Sequence, residues 1–180
     1  MIEIYVPERE LYDEVNEVFI TTKPCILQLE HSLLSVSRWE SKWRKSFFAN
    51  EEKTRAESLD YIRCMTINRN VDSYVYQLLS NKDLDRISEY IDASLTATTF
   101  HRYKKAPPNR QIITSELIYS WMVTYNIPFE CQKWHLSRLM TLIEILNIQN
   151  SPQKKMGKNE ILRSNAELNR ARRAKLHSKG

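Results

Sequence analysis

The stretch SVSRWESKWRKSFF, residues 35–48, decides the fold class, because its large apolar side chains recur every three or four positions. That period predicts an amphipathic helix over 35–48 with an aromatic face turned to the core and cations on the opposite face. Basic residues interleaved with aromatics can also bind single-stranded nucleic acid by stacking, although the spacing of four favours a core face. The residues of the aromatic face are Val36, Trp39, Trp43 and Phe47.

Upstream of this helix, the sequence has the alternation of half-buried strands. Residues 2–6 (IEIYV) alternate apolar and polar side chains, and 17–22 (EVFITT) and 25–30 (CILQLE) are rich in β-forming residues. Lys23-Pro24 separates the last two runs as a turn, since proline lacks the N–H that a ladder needs. These runs predict a small antiparallel sheet of two or three strands.

Downstream, the pattern stays helical. Thr54 and Glu57 form a capping-box signature that opens a helix to Met65. Residues 94–111 are predicted to be a connection, because Pro107-Pro108 prevents a helix there. Further helices are predicted to begin near Asp72 and Asn81 and to span 112–125, 129–148 and 158–176.

The predicted fold class is therefore α+β and mainly helical: a small N-terminal antiparallel sheet, a helical bundle and a basic C-terminal extension. The length of 180 residues fits one domain, placed at 1–152, with a tail at 153–180 that is helical or extended.

The net charge of +5 is unevenly distributed along the chain. The tail 153–180 has nine Lys and Arg against two Asp and Glu, or +7, which leaves −2 for residues 1–152. Such a tail can bind polyanions with strong salt dependence, keep the chain soluble, fold on a partner, or dock on an acidic protein surface, including the acidic N-terminal region of this chain. The sequence leaves these alternatives open.

Several enzyme classes are excluded by composition. The two glycines, Gly157 and Gly180, cannot build a P-loop, a dinucleotide-binding turn or a nucleophile elbow. Cys131 and His135 have a metal-ligand spacing on one predicted helix, but two ligands do not make a zinc site, and packing is the favoured role. We expect no catalytic residue, no cofactor and no metal.

The expected compartment is a reducing cytoplasm. The three cysteines are odd in number and widely spaced, which argues against a disulfide framework. No run of 18 apolar residues predicts a membrane span, and the acidic N-terminus does not look like a signal peptide.

Five phrases together resemble a family of small proteins from the tail-gene cluster of long-tailed bacteriophages, the tail assembly chaperone-like family. They cover most of the chain from about residue 11: LEHSLLSVSRWESKWRKSFF (29–48), LDYIRCMTI (59–67), LTATTF (95–100), ITSELIYSWMVTYNIPFECQKWHLSRLMTLI (113–143) and the closing LNRARRAKLHSKG.

The resemblance implies a non-enzymatic role in virion assembly through protein–protein contacts. Tail assembly chaperones hold the tape measure protein in the cytoplasm of the infected cell while tail-tube subunits polymerise round it. The alternatives are a structural virion protein at the head, head–tail junction or tail, whose basic tail docks on a neighbouring subunit or DNA, and a small nucleic-acid-binding regulator. The predicted partner-binding residues are Trp39, Trp43, Phe47, Phe48, Arg170, Arg172, Arg173 and Lys175.

Overall fold

A computed structural model describes residues 1–13, 17–100, 112–150 and 158–176. It has four strands near the N-terminus and then helices, so the predicted α+β, mainly helical class is confirmed. Two short 3-10 helices, Ser73–Leu78 and Phe129–Lys133, lie among the α-helices. The other elements are β1 (Ile2–Val6), β2 (Arg9–Asp13), β3 (Val18–Thr22), β4 (Cys25–Leu29), α1 (Leu33–Trp43), α2 (Arg55–Met65), α3 (Asn81–Asp92), α4 (Ser115–Thr124), α5 (Leu136–Asn150) and α6 (Lys158–Leu176).

The four strands form two antiparallel ladders with one shared register. β1 pairs with β4 and β2 with β3, and in both ladders the numbers of paired residues add to 31. That register would set Pro7 opposite Pro24, and two residues without an N–H explain why the ladder is interrupted there. The predicted turn at Lys23-Pro24 is therefore wrong: β3 and β4 do not pair with each other, and β2 was not predicted at all.

The two ladders differ in burial; we call the β1–β4 ladder the inner ladder and the β2–β3 ladder the outer ladder. In the inner ladder, Ile4 and Leu27 face each other and are fully buried in the core. In the outer ladder, Tyr12 and Phe19 face each other with ring centroids 5.0 Å apart, yet both side chains are mostly exposed. The alternating pattern predicts strands in both places, but only the inner ladder has a core beneath it.

Helix α1 is shorter than predicted. It begins after the N-cap Ser32, which forms a capping box with Ser35. It ends at Trp43, because Arg44 adopts a left-handed conformation with φ 54°. Phe47 and Phe48 therefore lie in the segment after α1, so the prediction of one helix over 35–48 is wrong at its C-terminal end.

The predicted helix over 129–148 is divided into two elements. A 3-10 helix ends at Lys133, His135 forms an isolated β-bridge with Ser32, and α5 begins only at Leu136. The N–H of Leu136 donates to the carbonyl of His31, which ties this break to the start of α1. Cys131 and His135 are consequently not neighbours on one helix face, as their spacing predicted.

The remaining helices lie at the positions that the sequence predicted. Thr54 caps α2 through the predicted capping box with Glu57. The helix predicted near Asp72 is the 3-10 helix Ser73–Leu78, and α3, α4 and α6 lie where the sequence placed them. Residues 94–100 of the predicted connection belong to no helix or strand, and its remainder, 101–111, lies outside the described residues.

By contact density the chain divides into two compact units, Met1–Leu146 and Asn147–Gly180. The core of the first unit is one cluster built from the inner ladder and helices α1 to α5, with Leu33, Val36, Ile118 and Leu139 fully buried. Among the described residues, no helix is long and apolar enough to span a membrane.

Candidate protein-binding groove

The four predicted aromatic contact residues differ in accessibility. Trp39 is only 1% exposed, and its indole N–H donates to the carbonyl of Glu57 at 2.9 Å. The prediction that Trp39 is available to a partner is therefore wrong, and the core interpretation of its spacing is right. Trp43 is half-buried, and its N–H donates to the Asp60 carboxylate at 2.8 Å. Phe47 is half-buried, and Phe48 is 37% exposed.

A buried carboxylate holds the segment after α1 in place. One oxygen of Glu40 accepts the backbone N–H of Phe47 at 2.8 Å, and the other accepts the N–H of Ser115 at 2.7 Å. Ser115 is the first residue of α4, where a negative group is stabilised by the helix dipole. Glu40 thereby links α1, α4 and the segment with Phe47, which fixes the position of the Phe47 ring.

The Phe47 ring lies over the next helix. Its centroid is 4.2 Å from that of Tyr61 on α2 and 5.4 Å from that of Trp39. The Lys53 ammonium lies 4.3 Å from the ring centroid, a cation–π contact. Lys53 also donates to the Phe47 carbonyl at 2.8 Å, so one side chain holds both the ring and the backbone.

Phe47 forms part of a groove with a volume of about 400 Å³ between α2 and α3. We call it the α2–α3 groove. Its apolar surface comes from rings and aliphatic side chains, while Lys53 and Asp85 add one charge of each sign. The lining residues are Phe47, Lys53, Ser58, Tyr61, Ile62, Leu84, Asp85, Ile87, Ser88 and Ile91.

The α2 side of the groove is held by an ion pair. Lys45 and Glu57 approach to 2.8 Å. The hydrogen bond from Lys45 and then that from the Thr54 backbone lower the pKa of Glu57 to about 2. Glu57 therefore stays ionised throughout the physiological range, and it keeps the segment after α1 close to the start of α2.

A buried polar network extends from the groove residue Tyr61 into the domain. The Tyr61 hydroxyl lies 2.5 Å from Nδ1 of His31, and the rings of His31 and His135 have centroids 5.3 Å apart. His135 donates from Nε2 to the Tyr90 carbonyl at 3.1 Å, while its Nδ1 accepts from Ser137. The sequence did not predict this network, because its members are far apart in the chain and match no motif.

Burial is the main cause of the pKa shifts of His31, His135 and Tyr61. It lowers the pKa of His31 to about 4, with the nearby His135 acting in the same direction, and it lowers the pKa of His135 as well. It also raises the pKa of the Tyr61 hydroxyl. At neutral pH all three groups are uncharged, which suits a structural network.

The side chains that most often bind metals are dispersed in the described part of the chain. There, no group of three or more His, Cys, Asp and Glu side chains is placed to hold a metal ion. Cys131 is a buried free cysteine, and the described contacts of His135 are made with protein groups.

The predicted basic contact residues lie on α6. Arg170, Arg172, Arg173 and Lys175 are all exposed, as is every other α6 side chain that the structure describes. Leu162 and Leu168 are the large apolar residues among them, so α6 combines many cations with little apolar surface.

The chain matches no protein-family model, no curated protein and no solved structure. The resemblance to phage tail assembly chaperones therefore remains a prediction from the sequence, and a functional proposal has to rest on it together with the groove and the charge distribution.

Proposed function

We propose that this protein is a non-enzymatic morphogenesis protein of a tailed bacteriophage, and specifically a tail assembly chaperone that acts in the host cytoplasm. Its client is the tape measure protein, and it binds an amphipathic helix of that client in the α2–α3 groove. The α2–α3 groove is the observation that carries this proposal, beside the sequence resemblance.

The groove has the chemistry that an amphipathic helix requires. Helix-in-groove recognition buries apolar side chains spaced at i, i+3, i+4 and i+7 in an apolar channel, with polar contacts at its rim. Leu84 and Ile91 on α3 lie opposite Phe47 and Tyr61 in the lining, with Lys53 and Asp85 among them. A volume of about 400 Å³ accommodates a few such side chains of a client helix.

Co-expression with the tape measure protein of the same phage tests this assignment. With the wild-type chain, most of the tape measure protein should remain soluble and co-purify. Ser88→Arg places a long charged side chain at an exposed position of the groove lining, and it should reduce the recovered complex by roughly tenfold, since one blocked anchor costs about 1.4 kcal/mol or more.

The matched control is Ser120→Arg, the same substitution at an exposed position of α4 that does not line the groove. It should leave the recovery of the complex unchanged. Equal recovery with both variants, or a tape measure protein that is equally insoluble with and without the wild-type chain, would contradict the proposal.

The basic tail supports a second candidate, a structural virion protein at the head, the head–tail junction or the tail. A 19-residue helix with a cationic end, whose described side chains are all exposed, is suited to an acidic neighbouring subunit or to DNA. Reversing the charges of Arg170, Arg172, Arg173 and Lys175 should weaken partner capture without unfolding residues 1–150. Loss of the folded body in that variant, measured by circular dichroism, would mean that the tail is not peripheral.

The tail also carries the nucleic-acid regulator alternative. Deleting residues 153–180 should abolish any salt-sensitive binding of nucleic acid, since the remaining residues have a net charge of −2. Binding that survives this deletion would exclude the tail as its cause.

A further inference from the structure

A second cavity of the first unit is lined by three cations from separate parts of the chain. It has a volume of about 460 Å³ and lies at the N-terminal end of α1, beside the C-terminal end of α2. Arg38 of α1, Arg69 after α2 and Lys133 at the end of a 3-10 helix all line it. Three elements that are distant in sequence thus bring positive charge to one concave surface.

These three cations have no acidic partner in the part of the chain that the structure describes. Among the described residues, none of them forms an ion pair or a hydrogen bond. Glu30 also lines the cavity, but its carboxylate already binds the amino group of Met1 at 2.8 Å and accepts from the Tyr90 hydroxyl at 2.7 Å. The nearby Asp60 is likewise occupied by Lys42 and Trp43. The unbalanced charge favours an anion in the cavity.

The other lining residues indicate what kind of anion the cavity favours. Leu34, Met65 and Ile67 provide an apolar wall, and the hydroxyl-bearing Ser32, Ser35 and Thr66 lie beside it. A mixed apolar and polar lining is typical of small-molecule sites, and a volume near 460 Å³ lies within their usual range. The occupant therefore combines a multiply charged anionic group with an apolar body.

The cations indicate which anionic group it is. Guanidinium groups bind phosphate oxygens bidentately. The ammonium group of a lysine adds a third positive charge that can form an ion pair with a doubly charged phosphate. A single carboxylate would leave two of the three cations without a counter-charge. We propose that this cavity binds an organic phosphate of nucleotide size, a binding site that is independent of the α2–α3 groove and of the proposed chaperone role.

Isothermal titration calorimetry of the full chain in a phosphate-free buffer tests the site, with adenosine diphosphate as the probe. The probe should bind in the micromolar to low millimolar range. Adenosine should give no heat, and inorganic phosphate and citrate should each bind at least about tenfold more weakly, because they lack either the charged or the apolar part. Absence of binding by adenosine diphosphate at millimolar concentration would overturn the proposal, as would equal binding of adenosine or tighter binding of citrate.

Neutralising variants locate the site. Arg38→Gln and Lys133→Gln should each weaken binding by about tenfold or more, since each removes a charged hydrogen-bond donor. Both residues are exposed, so the fold should survive, which circular dichroism would check. The matched control Arg86→Gln lies on α3, outside the lining, and should bind as wild type does. Binding that is unaffected at Arg38 and Lys133, but lost on changing Arg172 and Arg173 to Gln, would place the anion on α6 and refute the cavity site.

Discussion

Helices α1 and α6 have opposite environments, although each contains residues that the sequence predicted as partner contacts: Trp39 and Trp43 in α1, and four cations in α6. In α1, Leu33, Val36 and Trp39 are buried, and the helix packs against α2 and α4. In α6, every described side chain is exposed over 19 residues. The two helices look similar in sequence, since both mix cations with apolar residues, but only α1 has an apolar face wide enough to be buried.

The difference shows what holds each helix in place. The stability of α1 is coupled to the core, because its aromatic face packs against neighbouring helices and the indoles of Trp39 and Trp43 donate hydrogen bonds to α2. The stability of α6 depends on the helix propensity of its own Ala, Leu, Glu, Lys and Arg residues. Variants in α1 should therefore change the unfolding of the whole domain, while variants in α6 should change only local helicity.

The largest effect is expected for Trp39→Ala. It removes a fully packed indole and its hydrogen bond to the Glu57 carbonyl, and truncations of this kind cost about 3–5 kcal/mol. Urea unfolding should show a large decrease in the midpoint. Phe48→Ala, at a partly exposed side chain, should cost about 1 kcal/mol or less. Equal losses for the two variants would contradict the core position of Trp39.

The second-largest effect is a decrease in the free energy of unfolding in mild acid, caused by the buried His31 just before α1. The pKa of His31 is about 4 in the folded protein and about 6.5 in an unfolded chain, so between these values the unfolded state binds more protons. Its contribution is fully present above pH 6.5 and declines as the pH falls towards 4. The free energy of unfolding should be about 2 kcal/mol lower at pH 5 than at pH 7 from this group alone. His31→Gln should reduce that difference, and an unchanged difference would show that His31 does not cause it.

A smaller effect is expected for Ser32→Ala. The Ser32 hydroxyl accepts the N–H of Ser35 in the capping box of α1, and loss of such a cap costs about 1 kcal/mol. Differential scanning calorimetry should show a melting temperature lowered by a few degrees. Ser120→Ala, at an exposed position inside α4, is the control and should leave it unchanged.

The smallest effect on stability is expected in α6. Ala166→Gly with Ala171→Gly should lower the helical circular dichroism signal, since each glycine costs about 1 kcal/mol in a helix. The urea midpoint followed by tryptophan fluorescence should stay unchanged, because all four tryptophans lie in the first unit. A shifted midpoint would show that α6 contributes to the stability of that unit.

The sequence predicts the class of the fold better than it predicts the ends of its elements. Apolar periodicity located α1 and a capping-box signature located α2, because both are local signals in the sequence. Periodicity extended α1 too far, since nothing in the sequence marks Arg44 as left-handed. It merged two helices at His135, because the bridge to Ser32 depends on a contact between distant residues. The second strand was missed since RELYD has little apolar surface and acquires its partner only through the register of the hairpin.

The candidate sites show the same limit. Phe47 was predicted as a contact residue, but its groove depends on α3 and on the Glu40 carboxylate, neither of which the local pattern around Phe47 indicates. The cavity with Arg38, Arg69 and Lys133 could not be predicted, because its cations come from three separate elements. Only the basic tail was recognisable directly, since charge is a property of the sequence itself.

The most direct test of the proposed chaperone role is quantitative mass spectrometry of purified virions beside the infected-cell lysate. A tail assembly chaperone should be abundant in the lysate and absent from the particles. Detection in purified particles at a fixed copy number that matches the symmetry of the head, the head–tail junction or the tail would contradict the chaperone assignment and establish a structural virion protein in its place.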